Sequence, residues 1–413
     1  MLPADTTSLP HQVAATLEDL LAILPAQERT SPPLSLLAGP AGNALFYFYL
    51  AKMRDSAALY DRGYTTLLRT FDELERNGIR QLSYCNGLLG FCRLFQLVVE
   101  QDLLEADAEE TLSTFDGLLT QYVDQQLAEN DLDFLHGAIG SGLYLVTRST
   151  IPAVSQCLRR LLAHLRSSAL EDEQGIRWVD APAERNQYST TTINLSLSHG
   201  LASKIVFLAK CLHYEIEVSV ASKLLHGAVR FLQQQRSSGR AANQYPSTVS
   251  TAGQPQFSDR LAWCYGDLGV VIALLHAGST ARQPQWVEEA LRLAVETTRR
   301  TREAETQLVD GGFCHGTAGV AHIYNRLFHQ TGQACFREAR EHWIRATLQQ
   351  RRFVDGLAGF KIKRTDGWHN DASLLEGVMG IGLVLQSYLE ATPVNFTWDA
   401  VLLLDWSAAS GSC

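Results

Sequence analysis

Apolar residues along this chain fall into two alternating kinds of helical stretch. In one kind nearly every position is apolar: Ala44–Leu50, Phe91–Val99, Gly142–Val146, Lys204–Leu212, Val270–His276, Val320–Phe328 and Ile381–Leu389. In the other, leucines recur at helical spacing on a polar background: Tyr64–Arg76, Glu109–Glu129, Val154–Ser167, Val218–Gln235, Pro284–Arg302 and Ala334–Gln350. A helix that is apolar all round is buried, whereas one with a single apolar stripe keeps a wet face. The alternation predicts inner helices paired with outer ones. An amphipathic helix over Val13–Leu24, followed by a loop ending in Ser31-Pro32-Pro33, precedes the first pair. Three stretches break the helical rhythm. Glu171–Leu197 reads as strand and loop, Ser237–Arg260 as a Ser/Gln/Gly-rich loop, and Arg352–Asp371 contains the hairpin-like arm Phe360-Lys361-Ile362-Lys363.

Each all-apolar stretch is introduced by the same phrase, a glycine followed three residues later by a second small residue. The first members are Gly39, Gly87, Gly137, Gly200, Gly266, Gly316 and Gly377; the second are Gly42, Gly90, Gly140, Ser203, Gly269, Gly319 and Gly380. The intervals between first glycines, 48, 50, 63, 66, 50 and 61 residues, leave room for two helices and a connection. Such a period marks a repeat architecture. Mid-helix glycine costs up to ~1 kcal/mol relative to alanine, so seven copies need a packing reason. A ring of inner helices whose amino-terminal ends crowd together supplies one. The regular spacing favours a single body over residues 1–413, with residues 171–197 as a strand/loop extension within it.

Composition changes this picture little. Of 413 residues, 46% are hydrophobic and 19% charged, which suits a soluble globular chain with a large core. A net charge of −9 without a Lys/Arg run argues against nucleic-acid binding. Residues Met1 to Thr30 lack a basic start followed by an apolar core, so no signal peptide is expected, and no apolar run approaches the ~20 residues of a membrane span. The eight cysteines lack the spacings of a disulfide scaffold, and a reducing cytoplasm with free thiols is expected.

The chemistry concentrates in three copies of the phrase. Trp263-Cys264-Tyr265-Gly266 and Cys314-His315-Gly316 carry thiols just before the repeat glycine. Two cysteines and one histidine form an open zinc site, with a fourth position for water or substrate, whereas closed structural sites recruit four ligands. No Cys-x-x-Cys partner and no His-Glu-x-x-His helix accompanies them, and His213-Tyr214-Glu215 matches only half of a deaminase signature. Cys85, Cys92, Cys157, Cys211 and Cys335 are read as core residues and Cys413 as a tail thiol. His199 precedes Gly200 as His315 precedes Gly316, which makes it an acid/base candidate, because imidazole titrates near working pH. Asp133, four residues before Gly137, could orient His199. His136 holds the same position before its glycine, but is set aside. Arg260 could stabilise negative charge on a carbonyl oxygen or pair with Asp259, and Tyr265 could donate a hydrogen bond or pack as an aromatic.

Taken together, Ser198-His199-Gly200, Arg260-x-x-Trp263-Cys264-Tyr265-Gly266, Cys314-His315-Gly316-x-x-Gly319 and Asn370-Asp371-x-Ser373-Leu374-Leu375-x-Gly377-x-x-Gly380 resemble the lanthionine synthetase C-like family of lantibiotic cyclases and their eukaryotic relatives. The resemblance implies an all-α fold, an α/α toroid of seven inner and seven outer helices. It implies one zinc ion (Zn2+) per chain on Cys264, Cys314 and His315, with His199, Asp133, Arg260 and Tyr265 as catalytic residues. For Asp133 the match rests on the looser motif Asp-x-x-x-Gly-x-x-Gly. The implied activity is addition of cysteine thiols to dehydroalanine or dehydrobutyrine in a dehydrated precursor peptide, leader plus core, giving lanthionine or methyllanthionine. The size suits a free-standing cytoplasmic cyclase, peripheral to the membrane through a complex with a separate dehydratase and an ABC exporter. Two other readings stay open: glutathione addition to dehydrated proteins, and a non-catalytic peptide-binding scaffold. A zinc hydrolase lacks a carboxylate base beside the ligands.

Overall fold

Every predicted apolar stretch is a helix, extended at its amino end back to the repeat glycine. A computed structural model of the chain describes residues 8–27, 34–39, 41–179, 192–390 and 397–406. The Ser31-Pro32-Pro33 loop end, the middle of the 171–197 extension and Cys413 lie outside these. The inner helices are α2 (Ala41–Arg54), α4 (Leu88–Glu100), α6 (Ala138–Leu145), α8 (Leu201–His213), α10 (Asp267–Thr280), α13 (Thr317–Thr331) and α15 (Val378–Leu389). The outer ones are α1 (Leu9–Gln27), α3 (Ala57–Asn77), α5 (Ala108–Ala128), α7 (Pro152–Ser168), α9 (Val218–Gln234), α11 (Pro284–Thr297) and α14 (Ala334–Gln349); α12 (Glu303–Thr306) is a short turn.

Sequence chemistry sets where the outer helices begin. Ser56 and Asp107 accept hydrogen bonds from Leu59 N and Glu110 N and so cap α3 and α5. Proline opens α7 and α11, where its missing N–H costs nothing. Inner α6 buries all eight of its residues, whereas outer α9 buries one stripe, Ala221, Leu224, Leu225, Ala228, Val229, Phe231 and Leu232.

The chain forms two compact units, one of residues up to Gly78 with Leu308–Trp398, the other of Ile79–Gln307 with the segment from Asp399. In the first, α2 packs on α3, α13 on α14, and α15 on both α1 and α2. Leu375 N donates to Leu37 O at 2.8 Å, joining the loop before the last inner helix to the loop before the first. A hairpin of β6 (Ile362–Arg364) and β7 (Gly367–His369) occupies the predicted arm. Lys363 N donates to Asp310 Oδ2 at 3.0 Å, which docks that hairpin on the loop leading to Cys314.

In the second unit, α8 packs against α9 and α10, and α10 against α11. A hairpin of β1 (Leu170–Asp172) and β2 (Gly175–Arg177) lies on α9. A three-stranded antiparallel sheet joins β3 (Thr192–Asn194), β4 (Thr248–Ser250) and β5 (Pro255–Gln256), so the segment expected to be loop at 237–260 is partly strand. Most of residues 399–406 are buried here, which sequence patterning did not show. The carbonyls of Val401, Leu402 and Leu403 accept from Tyr84 OH, Trp263 Nε1 and His276 Nε2 at 3.0, 2.8 and 3.0 Å. Lys210 pairs with Asp405 at 2.6 Å.

Of the cysteines read as core, Cys85, Cys92, Cys157 and Cys211 are buried. Burial pushes the Cys157 thiol up to about 12, so it stays protonated. Cys335 is half exposed, a correction to its core assignment: it sits on the first, wet turn of outer helix α14, near Gln333.

Glycine at the second repeat position is enforced sterically at Gly140, Gly319 and Gly380, whereas the fourth copy carries Ser203. A Cβ on Gly319 would overlap the carbonyl oxygen of Phe313, whereas one on Gly117, inside α5, would meet nothing within 4 Å. Gly319→Ala is therefore expected to cost about 1–3 kcal/mol, and Gly117→Ala to stabilise by about 0.5–1 kcal/mol. Urea unfolding of the two variants checks the opposite signs.

Candidate functional site

The loops before the inner helices share a reading frame. Six residues before the first glycine, Asp131, Asn194, Asp310 and Asp371 each accept, through Oδ1, the backbone N–H two residues on: Asp133, Ser196, Gly312 and Ser373, at 3.1, 2.9, 3.0 and 2.7 Å. These are Asx turns, in which a short polar side chain substitutes for backbone. The carbonyls of Asp131, Asp310 and Asp371 then accept from Ala138, Thr317 and Val378 N, drawing each loop back onto its helix start. A Cβ on Gly87 would lie 2.6 Å from Gln81 O and Ser83 N. Gly137, Gly200, Gly316 and Gly377 are crowded in the same way, so in these copies the first glycine is required by its own loop, not by neighbouring helices as the repeat suggested. At the second glycine the loop's own carbonyl is joined by a neighbour: a Cβ on Gly140 would overlap Phe134 O and meet the Tyr84 side chain at 2.9 Å, and one on Gly269 would meet Trp263 O and Leu197 at 3.1 Å each.

Three residues before the first glycine stands a large apolar side chain, Leu36, Tyr84, Phe134, Leu197, Trp263, Phe313 or Leu374, each at most 2% exposed. At the next position the backbones are tied from loop to loop. Cys85 N donates to Leu135 O at 2.9 Å, Ser198 N to Cys264 O at 3.4 Å beside Leu197 N to the same oxygen at 3.0 Å, and Cys314 N to Leu375 O at 2.8 Å. The predicted thiol ligands are therefore mounted on hydrogen-bonded backbone, not on free loops. The residue immediately before the glycine is polar or aromatic in six copies, Asn86, His136, His199, Tyr265, His315 and Glu376, and Ala38 in the first. The rings of His136 and His199 stack with centroids 6.5 Å apart, and that of Tyr265 lies 6.3 Å beyond His199.

Cys264 Sγ, Cys314 Sγ and a ring nitrogen of His315 lie within 4.8 Å of one another, a cluster that could hold a metal ion. Both thiols are buried and disulfide-free, and His315 is half-buried. Ligands ~2.3 Å from one ion lie at most about 4.6 Å apart, so closure needs only tenths of an ångström. Two soft thiolates and an imidazole suit zinc, and their charge in a buried setting calls for a cation.

His199 Nδ1 lies 2.6 Å from Asp133 Oδ2, although 66 residues separate them. The other carboxylate oxygen accepts His136 N at 2.8 Å. Burial alone would raise the Asp133 pKa; the hydrogen bond and charge of His199, with His136, outweigh it and hold the carboxyl below its usual range. Burial likewise would lower His199, but the Asp133 hydrogen bond and charge, with a contribution from Cys264, hold it above the ordinary imidazole value.

Asn194, absent from the sequence-derived residues, connects these groups. Its Oδ1 is committed to Ser196 N, so the 3.3 Å contact to Tyr265 is a donation from Nδ2 to the phenol oxygen. Ser196 Oγ in turn accepts His199 N at 3.1 Å. The signal was present as an Asx six residues before each of four repeat glycines. Asn243, fully buried, donates from Nδ2 to the carbonyls of Ser258 and Arg260 at 2.7 and 2.8 Å, and accepts from Arg300 at 2.7 Å. That clamp fixes the backbone carrying Arg260. Asp259 pairs with Arg240 at 2.9 Å, not with Arg260. Gly266 has φ +91°, and a Cβ there would overlap Asn243 Nδ2, so the turn after Tyr265 admits only glycine.

Residues 30–403 match the family described as lanthionine synthetase C-like protein. The chain belongs to that family. Among curated proteins, "Nisin biosynthesis protein NisC" of Lactococcus lactis subsp. lactis is 23% identical over 237 residues, 54% of this chain and 51% of that protein; the matched stretch spans about half the length of this relative. Among solved structures, "Nisin cyclase" superposes with a TM-score of 0.74 at 17% identity, covering 97% of this chain and 99% of that one. The fold is thus the α/α toroid implied by the resemblance.

Proposed function

We propose that this chain closes thioether rings in a ribosomally made precursor peptide. A cysteine thiol adds across the Cα=Cβ bond of dehydroalanine or dehydrobutyrine, giving lanthionine or methyllanthionine. The observation that carries this reading is the Cys264–Cys314–His315 cluster, with Tyr265 and the His199–Asp133 pair in the loops beside Cys264. A thiol-rich metal centre activates sulfur, and an adjacent imidazole manages a proton.

The residues present fit one zinc ion on Cys264, Cys314 and His315. When bound, it would supply Lewis acidity favouring the thiolate form of an arriving cysteine. The remaining work falls to the protein. As the sulfur–Cβ bond forms, the π pair moves onto the amide as an enolate. Tyr265, whose oxygen accepts from Asn194, directs its own proton elsewhere and donates it to that oxygen. Arg260 adds positive charge. His199, held by Asp133 through Nδ1, delivers a proton to Cα from Nε2. Holding both partners on one surface supplies the effective concentration that ring closure needs. The reading places the chain in the cytoplasm, beside a dehydratase and an ABC exporter. Among the described residues no helix is long and apolar enough to cross a membrane.

The test uses a dehydrated, cysteine-containing peptide: free thiol disappears at constant mass when the protein is added. Consumption of glutathione in place of peptide thiol would overturn the reading. Asn194→Asp keeps the Oδ1 turn to Ser196, as the aspartates of the other loops do, and loses only the Nδ2 donation that holds Tyr265, so it is expected to lower kcat about 5-fold, the worth of one neutral hydrogen bond. In a Tyr265→Phe background the same substitution should cost almost nothing further, as kinetics of the double mutant will show.

A further inference from the structure

The positions immediately before the repeat glycines continue beyond His199, away from Cys264. His136 stacks on His199, and beside it opens a cleft of about 390 Å³ whose walls include Asn86, from the next loop, Gln81, and Tyr122 and Gln126 of α5. That volume lies within the ~300–1,000 Å³ of ligand subsites. Nothing in the chemistry assigned above uses it.

The lining is of one chemical type. Among its nine residues none is a carboxylate, and Arg80 at the exposed mouth is the only permanent cation. Cations and metal ions therefore find no counter-charge. Side-chain amides from Gln81, Asn86, Gln125 and Gln126 dominate, and an amide both donates and accepts, which matches the alternating N–H and C=O groups of extended peptide. Tyr122 is already committed, donating to His136 O at 2.6 Å and fixing the wall between cleft and imidazole. Gln126 is 1% exposed, and its Oε1 has no hydrogen-bond partner among the described residues. A buried acceptor left unpaired is destabilising, and of the buried unpaired side-chain atoms among the described residues Gln126 Oε1 alone belongs to the lining of this cleft. The terminal torsion of a glutamine turns easily, so a donor entering the cleft can be met by that oxygen.

We propose that this cleft is the subsite that holds the backbone of the precursor peptide on the dehydro-amino-acid side of the closing ring. Gln126 Oε1 accepts a peptide N–H and Asn86 pairs with the same segment. The proposal rests on the cyclase reading. It follows from the order of groups across the loops: Cys264 and Tyr265, then His199, then His136, then the cleft. A peptide whose thiol is held at the cysteine cluster and whose α-carbon faces His199 continues over His136 into it.

Two variants test this, Gln126→Met, nearly isosteric, and Asn86→Ala. Each is measured for thermal stability, for kcat and KM on dehydrated peptide, and for Kd by fluorescence anisotropy with the same peptide alkylated on its cysteines. Alkylated peptide cannot react, so binding is read apart from chemistry. The expected result is KM and Kd raised about 3- to 10-fold in each variant, with kcat moved less than about twofold. Gln126→Met should be as stable as the parent or more so, since it removes an unpaired acceptor. A merely structural glutamine would instead lower stability and leave Kd alone. Unchanged Kd in both variants overturns the proposal. If the parent protein binds the peptide but never cyclises it, the cyclase reading fails while the Kd values still decide the cleft. If it does not bind, both fall.

Discussion

Cys314→Ala lowers the rate of thiol loss from a dehydrated peptide at least about 100-fold, the scale of several kcal/mol that a bound metal contributes to a polar step. The reason is the thinness of the ligand set. The cluster holds two thiols and one imidazole, so losing one leaves two donors, too few for zinc. The same substitution at Cys85 is the control. Cys85 also stands two residues before a repeat glycine and shares the loop-to-loop hydrogen bonding, donating to Leu135 O, but it is not in the cluster. Cys85→Ala should keep bound zinc and keep the rate within about twofold, whereas Cys314→Ala should lose both. Metal content by atomic absorption and circular dichroism of each variant separate metal loss from misfolding. A folded, zinc-free Cys314→Ala protein with the parental rate would refute the role of the cluster.

His199→Ala removes the proposed proton donor and should reduce kcat by about 10²–10⁴-fold, the usual worth of general acid catalysis. Asp133→Asn is the more informative variant because its effect depends on pH. Asp133 raises the His199 pKa above the ordinary imidazole value, so the protonated donor persists into mildly alkaline solution and activity falls as pH rises through that raised value. Asparagine removes the charge while keeping the shape. Burial, the largest influence, is then opposed only by the smaller contribution of Cys264, so the alkaline limb of the kcat profile should move toward acid. The linkage to stability has matching signs. The raised His199 contributes below its unfolded-state value and loses that contribution as pH rises through the folded one. The depressed Asp133 contributes above its unfolded-state value and loses that as pH falls through the folded one. An unmoved alkaline limb in Asp133→Asn would separate His199 from the proton transfer.

Much of this was legible because repetition magnifies weak signals. A single Gly-x-x-Gly says little, but seven at intervals of 48 to 66 residues locate all the inner helices. The alternation of all-apolar and striped stretches gave the outer partners to within a few residues at most ends. Cys264, Cys314 and His315 could be read because they occupy matching positions in consecutive copies. What escaped notice depends on groups far apart in the chain. The Asx turns were blurred by Gln81 and Arg260 at the corresponding positions of other copies. His136 was set aside although its ring stacks on His199 and its backbone N–H binds Asp133. No pattern assigned residues 399–406 to the core, yet Leu402 and Leu404 are fully buried, and Tyr84, Trp263 and His276 hydrogen-bond to the carbonyls of residues 401–403.

The order of helices and the identity of the thiols and imidazole that cluster belong to the sequence alone, because hydrophobic period and repeat phase are local properties carried by each copy. Which side chains meet is a property of the folded chain. Asp133 finds His199 and Asn194 finds Tyr265 across 66 and 71 residues, and no local pattern encodes such distances. They arise only when successive loops are set side by side, with hydrogen bonds such as Leu197 N to Cys264 O joining one to the next.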